Sequence, residues 1–210
     1  MKKINVKVWI ISLLMVIVNS CSPKKNVETH YFNKYNGKNI LEEKALKFII
    51  EEINDSLSNV KVYRKDSSLL KFEQVINNKG VFRKFSNKLR PYYSFDSSYI
   101  GGTKNIFLPI INMEVWLMGK KKYTIDNEEF EVYLFNEMSY CTPSVSSYWA
   151  KNIGLISIYL YDGKKEYYYL CSDIKGNEGK KLVLYKLVKK LTMDTNFFKK
   201  AKYLPCDLTK

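Results

Sequence analysis

The chain has 210 residues, a formal charge of +14, 46% hydrophobic residues and 15% aromatic residues. That length suggests one domain, and that composition excludes a disordered chain. So large a positive charge first suggests nucleic acid. The basic residues are almost all lysine, however, with only Arg64, Arg83 and Arg90 as arginines, and planar phosphate and base recognition favours arginine.

The amino terminus carries the most specific signal. Lys2, Lys3 and Lys7 form a positive start, followed by the uncharged run Val8 to Val18 (VWIISLLMVIV). Eleven residues suit an export signal and fall short of the ~20 needed to span a bilayer. Next comes Val18-Asn19-Ser20-Cys21, with an aliphatic residue at −3 and a small residue at −1 before a cysteine. This motif resembles the lipobox of bacterial lipoproteins. The resemblance implies cleavage between Ser20 and Cys21, lipid on the Cys21 sulfur, and a membrane anchor. Two or three acyl chains together hold a protein on a membrane stably. Loss of residues 1–20 leaves a chain near +11 that is held away from the chromosome, so no nucleic-acid partner is expected. Ser22-Pro23-Lys24-Lys25 has neither the acidic cluster that some surface-displayed lipoproteins share nor an Asp at +2. The resemblance therefore points to the periplasmic face of an outer membrane. Residues 21–38 are polar, contain Pro23 and Gly37, and read as a tether.

Residues 39–210 read as one globular β-rich domain. Over 40–57, Leu41, Ala45, Ile49 and Ile53 recur every four residues, with Glu42, Glu43, Glu51 and Glu52 largely opposite. That spacing predicts an amphipathic helix with a solvated acidic face. Strands are predicted at 60–64 and 80–85, and 66–77 fits either a capped helix or a strand. Pro91 and Gly101-Gly102 punctuate a loop-rich stretch. Further strands are predicted at 113–118, 122–125 and 129–136, with Asp126-Asn127-Glu128 as a hairpin turn. The pair 154–161 and 166–171 flanks Asp162-Gly163, another hairpin signal. Residues 182–188 read as a strand and 194–200 as a short helix, with a polar tail after Pro205.

Both faces of the central strands are apolar. Phe130, Val132 and Leu134 oppose Tyr133 and Phe135, and Leu155, Tyr159 and Tyr161 oppose Ile156, Ile158 and Leu160. A sheet with one wet face alternates more cleanly, so something covers the second face: the helix at 40–57, a sheet curled into a half-barrel, or an apolar ligand or partner. The expected class is α+β, mainly antiparallel β, with a curved sheet or half-barrel packed by the N-terminal helix. The run from Tyr123-Thr124-Ile125-Asp126 through Phe130 to Phe135, Tyr148-Trp149 and Ile153 to Ile156 resembles consecutive strands of small antiparallel-sheet envelope lipoproteins. Some of these are similar to periplasmic carriers whose curved sheet holds acyl chains against a helix.

Chemistry-bearing constellations are sparse. His30 is the only histidine and falls in the tether, which argues against His-dependent nucleophilic catalysis. No spacing matches a zinc site, a calcium loop or a phosphate-binding loop, so no metal, cofactor or enzymatic activity is expected. With Cys21 lipidated, Cys141, Cys171 and Cys206 remain, and they allow at most one internal bridge. Cys141–Cys171 is slightly favoured, a bridge from Cys206 is nearly as good, and three buried free thiols are an equal alternative. Three functions stay open. The first is a non-catalytic envelope lipoprotein that binds a protein partner, with Tyr148 and Trp149 as interface candidates. The second is a carrier or sensor of a lipid or other apolar ligand, which requires a ligand-sized cavity. The third is a carboxylate-based glycan hydrolase, which requires two facing acids.

Overall fold

The computed structural model describes residues 26–54, 57–85, 88–96, 106–108, 113–139, 142–161 and 165–198. The lipobox, Cys141, Cys206, Gly101-Gly102, Asp162-Gly163 and the tail after Pro205 lie outside them. Twelve strands form one antiparallel sheet: β1 (Val27–Asn36), β2 (Asn39–Asn54), β3 (Leu57–Arg64), β4 (Leu69–Asn77), β5 (Gly80–Phe85), β6 (Lys88–Ser94), β7 (Ile106–Leu108), β8 (Met113–Ile125), β9 (Glu128–Ser139), β10 (Thr142–Ala150), β11 (Gly154–Tyr161) and β12 (Glu166–Lys175). Among the described residues two helices follow, α1 (Glu178–Met193) and α2 (Thr195–Phe198). The strand order is β6-β5-β4-β3-β2-β1-β12-β11-β10-β9-β8-β7. Each half is thus a run of sequential neighbours, and among the described residues the hydrogen-bonded ladder between the halves is the pairing of the first strand with the last.

The sheet curls until β6 approaches β7 and β8. Tyr93 of β6 stacks on Phe135 of β9 with ring centroids 4.6 Å apart, and Phe95 lies 5.0 Å from Tyr133. These contacts define an inner face on which the halves of the sheet pack against each other. Tyr133, Phe135 and Glu137 of β9 point inward, while Val132, Leu134 and Asn136 alternate to the outer face. All six are buried.

The outer face is covered by α1. Lys180 near its start reaches Glu28 of β1, and Asp194 just past its end bonds Tyr123 and Lys121 of β8. A helix of sixteen residues is about 24 Å long. The five gaps from β1 to β8, at about 4.8 Å each, span about the same length. The helix therefore crosses the second half of the sheet as far as β8 and buries Leu184, Leu187 and Leu191. The two apolar faces read from the sequence have two different covers.

Three expectations are corrected. Residues 40–57 are not a helix. They supply β2, in which Leu46, Phe48 and Ile50 alternate inward, with Phe48 packed 4.8 Å from Phe32. Pairing on both edges with β1 and β3 outweighs the four-residue spacing, because tertiary context overrides helix propensity. The packing helix lies instead at the C-terminal end of the chain, where residues 182–188 read as a strand. There Asn177 caps α1 by accepting from the Lys180 amide at 3.0 Å, with Glu178 in the first turn and Lys190 in the last. The third correction concerns the tether: Val27–Asn36 is a central strand with Glu28, His30 and Phe32 buried.

The strands at 60–64, 80–85, 129–136, 154–161 and 166–171 are present, those expected at 113–118 and 122–125 are one continuous strand, β8, and 69–77 is a strand. At the predicted hairpin, Asp126 and Asn127 have φ of 49° and 67°, while Ile125 pairs with Glu128. That geometry gives a two-residue turn whose twist matches the flanking strands.

Candidate ligand cavity at one end of the curled sheet

The start of β1, the end of β2, the end of β4 and the β10–β11 turn converge at one end of the curl. They enclose an open cavity of about 510 Å³. Ile50, Leu57, Ile76, Phe95, Trp149 and Ile153 form its apolar wall. Glu28, Glu52, Lys151 and Lys180 supply the charged part. The alternation of β2 aims Ile50 inward, and Phe95 continues the inward face of β6 two residues beyond Tyr93.

The charged groups are tied together. Glu28 is 3% exposed. It accepts from Lys180 Nζ at 2.8 Å and Asn177 Nδ2 at 2.9 Å, and its other oxygen lies 3.2 Å from His30 Nε2. Burial pushes the Glu28 carboxyl up, but the bonds from His30, Lys180 and Asn177 outweigh it and hold the carboxyl down at about 2. Glu28 is therefore a permanent carboxylate at neutral pH. It anchors the start of α1 to β1 and orients Lys180 at the rim. Gly154 passes over the His30 ring, and a Cβ at Gly154 would lie 3.7 Å from His30 Cε1. At the rim, Asn26 Nδ2 donates to Glu52 of the adjoining strand at 3.0 Å.

Trp149 is 2% exposed, and its Nε1 has no hydrogen-bond acceptor among the described residues. A buried indole N–H without a partner costs free energy, and here it belongs to a residue of the cavity wall. Deeper in the curl, side chains from facing strands meet. The Tyr93 hydroxyl bonds Glu137 and lies 3.2 Å from Ser147 Oγ, while Arg83 stacks 3.4 Å from the centre of the Tyr92 ring. Burial pushes both tyrosine hydroxyls well above their ordinary range. A second hollow of about 390 Å³, bordered by Glu42, Leu46, Arg64, Asp66 and Tyr169, opens elsewhere on the sheet.

The interface assigned to Tyr148 and Trp149 is overturned, because both are buried. Tyr148 donates to the Phe198 carbonyl at 2.6 Å under the helices, and Trp149 faces the cavity instead. Cys171 is a buried free thiol on β12, pushed well up by burial. Of the cavity residues, sequence reasoning singled out only Trp149, and His30, which bonds Glu28 beside the cavity, was read as part of the tether. Its one available signal was the alternation Glu28, His30, Phe32 at strand period. Among the described residues, no cluster of His, Cys, Asp and Glu has the makings of a metal site. No helix among them is long and apolar enough to cross a membrane.

No protein-family model and no curated protein matches the sequence. Among solved structures, the chain is similar to the lipoprotein LppX of Mycobacterium tuberculosis. That match has 10% identity and a TM-score of 0.23, covering 77% of this chain and 93% of the other. The chain is also similar to a LolA superfamily protein of Nitrosomonas europaea. That match has 10% identity and a TM-score of 0.27, covering 73% and 86%.

Proposed function

We propose that this protein is a lipid-anchored, non-catalytic envelope protein that binds an amphipathic apolar ligand in the cavity at the end of its curled sheet. The observation that carries the reading is the cavity itself. Its volume of about 510 Å³ lies within the range of small-molecule sites, and the mouth of a β-barrel is a common place for one. Its wall joins Ile50, Leu57, Ile76 and Phe95 to a small set of fixed polar groups, the division expected for a ligand with an apolar body and a polar end. Burial of Tyr148 and Trp149 removes the surface on which the partner-binding reading relied.

Cys21, following Val18-Asn19-Ser20, supplies the anchor in this reading, with the body on the periplasmic face of an outer membrane. The test is native mass spectrometry of the mature chain purified gently from a bacterial envelope. It is paired with fluorescence titration of a Trp116→Phe variant, in which Trp149 is the sole tryptophan after signal cleavage. A co-purifying mass in the lipid range, and saturable quenching or blue shift of Trp149 with a monoacylglycerol, are the expected results. A bare protein mass together with no response to any amphiphile would refute the reading.

A further inference from the structure

We propose that the outer face of α1 is a docking surface for an anionic bilayer. Its inward stripe, Leu184, Leu187 and Leu191, is spent on the sheet. Leu182, Tyr185 and Met193 lie on the opposite side, at spacings that keep them on one face with Lys189 between them. They are 57%, 70% and 71% exposed. Single exposed apolar side chains are ordinary, but three of them aligned along one helix face form a patch that marks an interaction surface.

The chemistry around the stripe selects the occupant. Sequence from 178 to 193 holds Lys180, Lys181, Lys186, Lys189 and Lys190 against one acid, Glu178. Some of that charge is answered: Lys180 by Glu28, Lys181 by Asp173 and Glu178, and Lys186 by Asp126. Lys190 donates to the Thr124 carbonyl, a neutral group, so Lys189 and Lys190 leave the face positive. Lysines flanking Leu, Tyr and Met are the composition of a helix that lies in the headgroup plane of a membrane. A protein partner would be expected to meet more aromatic and arginine contacts.

Position agrees with composition. Val27 adjoins the start of α1, so closely that a Cβ on Gly176 would sit 2.4 Å from the Val27 carbonyl oxygen. Cys21 is five residues before Asn26, a reach of at most about 18 Å. An anchor at Cys21 therefore leaves the helix end close to the bilayer. Seated this way, α1 lies flat on the headgroups, with the rim residue Lys180 at its start, so that the cavity opens near the lipid surface. The docking surface uses the anchor of the proposed function but stands on its own residues.

The test uses the mature chain from residue 21 carrying Cys21→Ser, so that no acyl chain contributes. Sedimentation with phosphatidylglycerol vesicles should show binding that falls at 0.5 M salt, whereas phosphatidylcholine vesicles should bind weakly. Replacing Leu182, Tyr185 and Met193 with serine should cut phosphatidylglycerol binding roughly tenfold and leave the thermal transition unchanged. Lys189→Glu should weaken it further. Equal binding by the triple variant, no binding to phosphatidylglycerol, or loss of a protein partner without loss of vesicles would overturn the proposal. Ligand titration at Trp149 is independent of these substitutions, so a failure of docking and a failure of ligand binding read out separately.

Discussion

Glu28→Gln tests whether the charged cluster at the cavity holds the fold as its geometry implies. The side chain keeps its size, but the carboxylate that accepts from Lys180 and Asn177 and faces His30 is lost. In the wild type that carboxyl sits at about 2 against an ordinary 4.5, which is worth about 3 kcal/mol of stability at pH 7. The folded value is depressed, so the contribution is complete above about pH 5 and disappears as pH falls through 4.5 towards 2. At pH 3 less than half of it should remain. Gln cannot ionise and stands in for the protonated acid. The difference between wild type and variant should therefore be about 3 kcal/mol at pH 7 and less than half of that at pH 3. Urea denaturation followed by circular dichroism at pH 7, 5, 4 and 3 gives the curve directly, and groups remote from Glu28 cancel in the subtraction. A difference that stays constant with pH, or a variant as stable as wild type at pH 7, would refute the argument.

Leu187→Ala should cost about 2–5 kcal/mol in denaturant melts, because Leu187 is fully buried between α1 and the outer sheet face; a loss under 1 kcal/mol would mean the helix is not seated there. Tyr93→Phe removes the hydroxyl that bonds Glu137 across the curl, and a loss of about 1–3 kcal/mol is expected. Gly176 has φ of 92°, and a Cβ there would press on the Val27 carbonyl, so Gly176→Ala should destabilise by about 2 kcal/mol or more. The Cys171 thiol, buried and pushed up, should stay unlabelled by an alkylating reagent in the native protein and react in urea, as read by peptide mass at Cys171.

The hairpin at Asp126-Asn127 and the strands on either side were legible because local chemistry and tertiary need agree there. Alternating apolar residues run into a pair that tolerates positive φ. The same holds for the apolar runs on both faces of β9 and β11, which required two covers before either was visible. Residues 40–57 and 182–188 misled for opposite reasons. In the first, alanine, lysine and glutamate spaced by four suggest a helix, yet the deciding energy comes from neighbours on both edges that no window contains. In the second, Leu182-Val183-Leu184-Tyr185 is a contiguous β-forming run, and the Asn177 cap and the spacing of Leu184, Leu187 and Leu191 count for more. The cavity was not legible. It is assembled from the ends of strands far apart in sequence, and its charged centre uses a histidine that looked like part of a polar leader.

The seam between β1 and β12 has a consequence for how such a chain is made. β2 to β6 each pair with the strand just synthesised, so that half can form as it emerges. β1 nevertheless keeps one long edge open until the twelfth strand arrives. Open edges invite pairing with other chains, and joining the first strand to the last is a slow, non-local closure. A chain exported amino terminus first would pass through a stage in which its first half has structure and an unfilled edge. Any truncation before Glu166 would make that stage permanent.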